Sequence, residues 1–278
     1  MLASLDKAYE LYHALLIIPI AITKMQAERL EAAKQKYVPT FEDLNPNTKF
    51  IDNKFVSTLE HNEDLIAYLE SNPISWDEEY LTIKKLLDMI IASEIYAEYM
   101  ADTNSSYTKD CEFWRNILKK IIFPSTELSE ALEAKSLFWN DDINTMGTFV
   151  LKSIKQIAAT EGEQVSLMPK FKDSEDEAFG PTLFIETIKH REEYQEYIYK
   201  FINDSQGEPE RLAFMDLIIM MLAISEIMTF PAIPIAVSLN EYIEIANYYS
   251  TPKSGQFING ILYSVINYLK KEGTLIKD

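Results

Sequence analysis

Three histidines, one cysteine and several acid clusters are the side chains with which this chain could do chemistry. Glu10 and His13 stand i, i+3, the spacing by which di-metal carboxylate sites in helix bundles draw two ligands from one helix face. Such a site needs that motif twice and two further inward carboxylates. Glu186 and His190 stand i, i+4 and do not repeat it, so both pairs read as helix-surface pairs. His61 is the third histidine. The run Asp173-Ser-Glu-Asp-Glu177 lacks the alternating ligands and central glycine of a calcium loop. Acids in that position favour the positive end of a helix that begins there, and Asp141-Asp142 reads the same way. Cys111 has no sequence partner that would mark a nucleophile. A Gly-rich phosphate loop, a G-x-S-x-G elbow and a CxxC pair are all missing from the sequence. No catalytic residue, metal site or cofactor is therefore assigned.

The basic side chains say more. With 44 acids among 278 residues and a net charge of −18, the chain is no generic nucleic-acid coat, because phosphate binding draws its affinity from Lys and Arg. A local positive strip remains open. Residues 245–271 contain no Asp or Glu and carry three lysines. There Lys253 and Gln256 lie beside Tyr248, Tyr249 and Phe257. Lysines on phosphates and rings on unpaired bases are how single-stranded RNA is held. Against this, Phe257, Ile261 and Val265 form an i, i+4 row that reads as buried, and periodicity assigns Tyr249 to the core as well. A second acid-free stretch, 113–126, places Arg115, Lys119 and Lys120 on one helical face.

Helices must position these groups. Only 7 glycines in this length, with abundant Leu, Ile, Ala, Glu and Lys, argue for an all-α chain of about ten helices. A single cysteine leaves no internal disulfide and suits a reducing compartment. The N-terminus shows no secretion signal. The spacing of Leu11, Leu15, Ile18 and Ile22 predicts a helix over 5–34, kinked at Pro19. Pro73-Ile-Ser75-Trp-Asp-Glu78 opens a helix to about residue 100, with Tyr80, Ile83, Leu87, Ile90 and Ile91 on its apolar face. Thr108 caps the next, and Pro124 stops it. A helix through 142–159 buries Met146, Phe149, Val150, Ile154 and Ile157, and one through 179–201 buries Phe184, Ile188 and Tyr194. Residues 212–226 are apolar all round except at Asp216 and Glu226, so that helix is wrapped by others. Each of those acids would cost about 2.5–3.5 kcal/mol in lipid, which argues against a membrane span. Pro231 and Pro234 re-aim the chain, and Ser238-Leu-Asn-Glu241 reads as a capping box.

Two blocks in the last third carry a resemblance. Pro234-Ile-Ala-Val-Ser-Leu-Asn240-Glu241-Tyr-Ile-Glu244-Ile-Ala246 and Phe257-Ile-Asn259-Gly260-Ile-Leu262 resemble the C-terminal half of the NusB family of bacterial transcription antitermination factors. The long preceding segment resembles the extended forms found in the Bacteroidetes group. The resemblance implies an all-α, NusB-like helical bundle with a long helical insertion: residues 1–36 as an N-terminal helix, 37–209 as the insertion, and 210–278 as the RNA- and partner-binding region. It implies no enzyme. It implies cytoplasmic binding of boxA-type single-stranded RNA together with a small ribosomal subunit protein of the NusE type, acting indirectly on the RNA polymerase elongation complex. Tyr249, Lys253, Gln256 and Phe257 would face RNA, with Lys253 standing where some relatives have an acid. Asp216, Glu226 and Ile235 would serve the protein partner. Asn240, Glu241, Asn259 and Gly260 are expected to be caps and close-packing positions. Met1 falls near the family's third helix, without the family's arginine-rich arm. That would weaken RNA contact or relocate it to Arg115, Lys119 and Lys120, and would leave an apolar patch. The rival expectations are a helical protein adaptor that ignores RNA, a relative of the RNA-binding part of a ribosomal RNA methyltransferase, and a carboxylate metal enzyme.

Overall fold

The computed structural model describes residues 2–139, 142–161, 163, 165–204, 212–251, 253–275 and 277. Polar side chains start many of its helices: Asn53, Asn62, Ser93, Ser106, Ser125 and Asp173 each accept bonds from first-turn amides. Those amides have no helical carbonyl to reach, so a cap satisfies what the helix itself cannot. Among the described residues there are fifteen α-helices and no strand. The all-α expectation holds. The expected number of helices is too low, in part because three long helices are each broken in two and in part because the short helix Phe41–Leu44 forms in a segment expected to be a loop.

Two compact units form, Met1–Lys170 and Phe171–Asp278. Their border differs from the divisions expected after residues 36 and 209. In the first unit, α1 (Leu2–Leu16) gives way to α2 (Ile18–Lys34) at Ile17. Pro19 lies in the first turn of α2, where its missing amide hydrogen is not needed. Leu11, Leu15, Ile18 and Ile22 are fully buried, as their spacing predicts. Next come α3 (Phe41–Leu44), α4 (Lys54–Glu60), α5 (Glu63–Ser71), α6 (Tyr80–Ile91) and α7 (Glu94–Ala101). The expected single helix ends at Ala92 because the Ser93 hydroxyl accepts from the Tyr96 amide and starts α7. Tyr80, expected on the buried face, is exposed. Ser106 rather than Thr108 caps α8 (Tyr107–Ile117), which runs on as a π-helical turn over Leu118–Ile122. α9 (Thr126–Lys135) and α10 (Ile143–Ala159) follow, with α10 packed along both α1 and α8. Of the acids expected to start α10, Asp141 lies outside the described residues and Asp142 makes no side-chain cap.

The second unit holds α11 (Ser174–Lys189), α12 (Arg191–Asp204), α13 (Phe214–Thr229), α14 (Ile235–Tyr249) and α15 (Ser254–Lys271). Asp173 caps α11 through the amides of Glu175 and Asp176, so the acid cluster is a helix start, as expected. α13 packs against α11, α12, α14 and α15, which is where an all-round apolar helix must lie. The linker expected over 203–209 falls largely outside the described residues, as do Glu210 and Arg211. Tyr194 and Ile198 of α12 are buried against this core, but Phe184 and Ile188 of α11, expected inside, are 55% and 58% exposed. Among the described residues no helix is long and apolar enough to cross a membrane.

His13 is a buried titratable group of the first unit. It is 1% exposed, its Nδ1–H donates to the Tyr9 carbonyl at 2.9 Å, and its ring stacks on Tyr68 with centroids 3.5 Å apart. Burial drives its pKa down to about 4 from 6.5, because the charged ring would lose its hydration. The neutral ring is the folded form, so His13 contributes stability fully above pH 6.5 and loses it as the pH falls through about 4. The span corresponds to about 3 kcal/mol. His13→Phe should remove that part of the acid-side loss, read as a smaller drop in urea midpoint between pH 7 and pH 4.5 than in the parent.

Candidate nucleic-acid interface

The site begins with a charge in an apolar helix. Asp216 sits in the first turn of α13 and is 5% exposed. A carboxylate buried there needs donors, and the α14–α15 connection provides them. Ser250 Oγ donates to Asp216 Oδ1, and Ser254 Oγ donates to Asp216 Oδ2 at 3.0 Å. Ser254 Oγ also accepts from the Thr251 amide at 3.2 Å. The loop that joins the two helices is thus tied to the central helix through one acid.

A second tie lies at the other end of α13. Glu226, 7% exposed, accepts from Ser238 Oγ at 2.6 Å and from Tyr242 OH at 2.9 Å. Burial, reinforced by the Glu226 charge, pushes the Tyr242 phenol well above its usual range, so it stays a donor. This corrects the capping-box reading: α14 starts at Ile235 behind Pro234, and Ser238 lies a turn inside it, facing Glu226. Asn240 and Glu241 are mid-helix and exposed. Gly260 is not a close-packing position either, since a Cβ there would meet nothing within 4 Å. Gly255 is the glycine that matters. A Cβ on it would lie 2.4 Å from Asn247 Oδ1 of α14, so a larger residue there would have to displace that side chain.

Held this way, the connection presents an aromatic and basic edge. Tyr248 is 84% exposed, Tyr249 59% and Phe257 38%, while Lys253 and Gln256 are exposed. Tyr249 closes α14, Lys253 is the N-cap of α15, and Gln256 and Phe257 lie in its first turn. The expected burial of Tyr249 and Phe257 is overturned: Ile261 and Val265 turn inward, but Phe257, a turn earlier, is on the outer side of α15 while Ser254 and Ile258 beside it are buried. Lys253 and the positive end of α15 put two favourable fields on any phosphate near this edge. The three residues expected to meet a protein partner lie elsewhere. Asp216, Glu226 and Ile235 are all buried within the unit, the two acids being engaged by its own hydroxyls. Ser250, Ser254, Gly255 and Tyr242 were not singled out from sequence. The signal was the pair of acids in α13, each of which had to find buried donors.

The other candidate chemistry does not assemble. Among the described residues no group of three His, Cys, Asp or Glu could hold a metal ion. Glu10 pairs with Lys7, whereas His13 turns to a backbone carbonyl. His190 lies between Glu186 and Glu193 on the surface, at 3.5 and 3.0 Å. Burial pushes the Cys111 thiol up to about 12, so it carries almost no thiolate at neutral pH.

Comparison with known proteins agrees with the helical architecture. The sequence model described as NusB family matches residues 142–267. The match takes in 142–209, the part assigned by sequence reading to an insertion. A transcription antitermination protein NusB of Salinibacter ruber is 34% identical over 134 residues, covering 46% of this chain and 82% of its own length. Proteins of the same name from Natranaerobius thermophilus and Methylacidiphilum infernorum are 45% and 44% identical, over 32% and 29% of this chain and 66% and 55% of theirs. No solved structure gives a significant match.

Replacing Asp216 with Ala removes the charged acceptor of the half-buried Ser250 hydroxyl and the buried Ser254 hydroxyl. Hydrogen bonds to a charged group contribute about 1.5–3 kcal/mol each, so Asp216→Ala should lower stability by about 2–3 kcal/mol in chemical denaturation. It should also raise hydrogen-exchange rates at Thr251 and Ser254 above those of the α15 interior. Unchanged exchange there would show that the acid does not hold the loop.

Proposed function

The chain belongs to the NusB family of transcription antitermination factors, and from that premise we propose that it acts without catalysis by binding boxA-type single-stranded RNA. Its RNA edge is Tyr249, Lys253, Gln256 and Phe257. The observation that carries the reading is this exposed aromatic and basic edge, tied to a buried acid, in the segment of the chain that matches the family. Lys253 meets a phosphate, Gln256 offers both donor and acceptor to a base edge, and the rings of Tyr249 and Phe257 stack on unpaired bases. Rings and lysine are presented at helix ends whose backbone is already fixed, so little ordering is left to binding.

In the same reading a NusE-type ribosomal protein binds beside α13 and α14. Asp216, Glu226 and Ile235 act there by positioning what surrounds them, because their own side chains are covered. The complex forms in the cytoplasm and acts on transcribing RNA polymerase through the transcript. Support for the partner comes from family membership alone.

Fluorescence anisotropy with a boxA RNA and a scrambled control, with and without the ribosomal protein, tests the proposal. Preference for boxA at moderate salt is expected. Equal affinity for both RNAs in both arms sinks it, and capture of the ribosomal protein with no RNA preference would instead make the chain an adaptor. Lys253→Glu should weaken boxA binding and lower the salt slope by about one. Phe257→Ala should cost about 1–3 kcal/mol of RNA affinity through lost stacking, with no matching loss in thermal stability.

A further inference from the structure

The first unit carries a second positive surface that the C-terminal reading does not use. The stretch 113–126 has no acid, and neither has 143–160, which contains the whole of α10. In a chain with 44 acids, two such stretches are unusual, and the fold lays them side by side. α10 packs along α8 and touches its π-helical continuation. Their relative direction follows from one contact: a Cβ on Gly147, near the start of α10, would lie 3.1 Å from the Phe123 ring, just past the π turn. The end of one helix therefore meets the start of the other, and they run antiparallel.

This arrangement aligns the cations. Arg115, Lys119 and Phe123 are spaced by four, so they share one side of the α8 and π-helical segment. Gly147, Leu151 and Lys155 are spaced by four on α10. The two rows meet at Phe123 and Gly147, which brings Lys119 level with Leu151 and Arg115 level with Lys155. Lys152 extends the outer side of the α10 row, its ammonium 5.2 Å from the Phe149 ring. Lys119, Lys152 and Lys155 are exposed, and no described residue forms an ion pair with any of these four cations. Arg115 has its Nε buried without a hydrogen-bond partner. Glu112, a turn before Arg115, is the nearest acid in sequence on α8 and is not bridged to it.

We propose that the seam between α8 and α10, with Arg115, Lys119, Lys152 and Lys155, is a second RNA-binding surface that holds the phosphate backbone of single-stranded RNA without reading its sequence. Unpaired cations gathered on an acidic body are an electrostatic footprint for a polyanion. RNA is the polyanion because the chain belongs to a family of transcription factors. Sequence independence follows from the lining: the exposed side chains of the seam are cations and small polar residues, with no exposed ring to stack on a base. The surface belongs to the first unit alone. It does not require the edge at Lys253, although it assumes that the protein meets RNA.

The test uses the full chain and a 20-nucleotide polyuridylate that contains no boxA-like sequence. The variant is Lys119→Gln/Lys152→Gln/Lys155→Gln, which changes only exposed side chains, and its circular dichroism and melting should match the parent. Each phosphate contact on a single strand contributes about 0.7 to the slope of log affinity against log salt. Losing three should lower the slope by about 2, so that between 50 and 200 mM salt the parent loses about 20-fold more affinity than the variant. Lys84→Gln/Lys85→Gln, which neutralises two exposed lysines on α6, should leave the slope near that of the parent. The same affinity and slope in parent and triple variant overturn the proposal, as does binding of poly-glutamate in preference to polyuridylate. Lys253→Glu separates the two surfaces. If it abolishes boxA preference while polyuridylate binding stays salt-dependent through the seam, both readings stand. If polyuridylate binding disappears with Lys253→Glu alone, the seam is not a site.

Discussion

Two buried carboxylates in one apolar helix are the constraint on which the second unit depends. A helix such as α13 gains its stability by being wrapped, and each acid placed in it must be matched by a hydrogen-bond donor or it opposes folding. Asp216 takes its donors from the α14–α15 connection, and Glu226 takes its donors from the first half of α14. Lying twelve and sixteen positions from Ser238 and Tyr242 in sequence, Glu226 sets where α14 lies. Asp216, more than thirty positions from its serines, sets where α14 stops and α15 starts. The constraint is geometric as well as energetic, since this placement of the helices satisfies both acids at once.

The exposed edge follows from that placement. With Ser250 and Ser254 turned inward to Asp216, the residues next to them in helical order are turned outward. Tyr249 and Lys253 precede the two serines directly, and Gln256 and Phe257 follow Ser254 within a turn. A recognition surface made this way is rigid because its inner face is a buried hydrogen-bond cluster. Gly255 leaves room at the same junction for the Asn247 side chain, which a larger residue would displace. The first unit uses different means for a comparable end. Its helices are joined by caps and by indole N–H bonds, Trp76 to the Ala14 carbonyl and Trp139 to the Lys7 carbonyl, each at 2.8 Å. These bonds let the Trp76 and Trp139 rings enter the core with their indole N–H groups met, whereas the Trp114 Nε1 is buried without a partner.

Much of this was legible in sequence where the signal is local. The period of Leu11, Leu15, Ile18 and Ile22 predicted their burial, and the all-round apolar character of α13 predicted its central position. Asp173 before an acidic turn predicted a helix start. The local signal misleads where a hydroxyl has two possible partners. Ser238 sits in the spacing of a capping box, yet it lies inside α14 because a buried acid from another helix competes for it. Phe184 and Ile188 have core spacing on α11 and face solvent, because periodicity reports that a face is apolar and not what covers it. Tyr249 and Phe257 were ambiguous for the same reason.

The sequence by itself determined the helical class, the family blocks around Asn240 and Asn259, and the two acid-free stretches with their lysines. Composition, propensity and charge are sums over neighbours along the chain, so they survive without coordinates. Only the tertiary structure decided which hydroxyls answer Asp216 and Glu226, which glycine sits at a close contact, and that 113–126 and 143–160 lie against each other. Those are relations between residues far apart in the chain, and they exist only when the packing of whole helices brings the partners within reach.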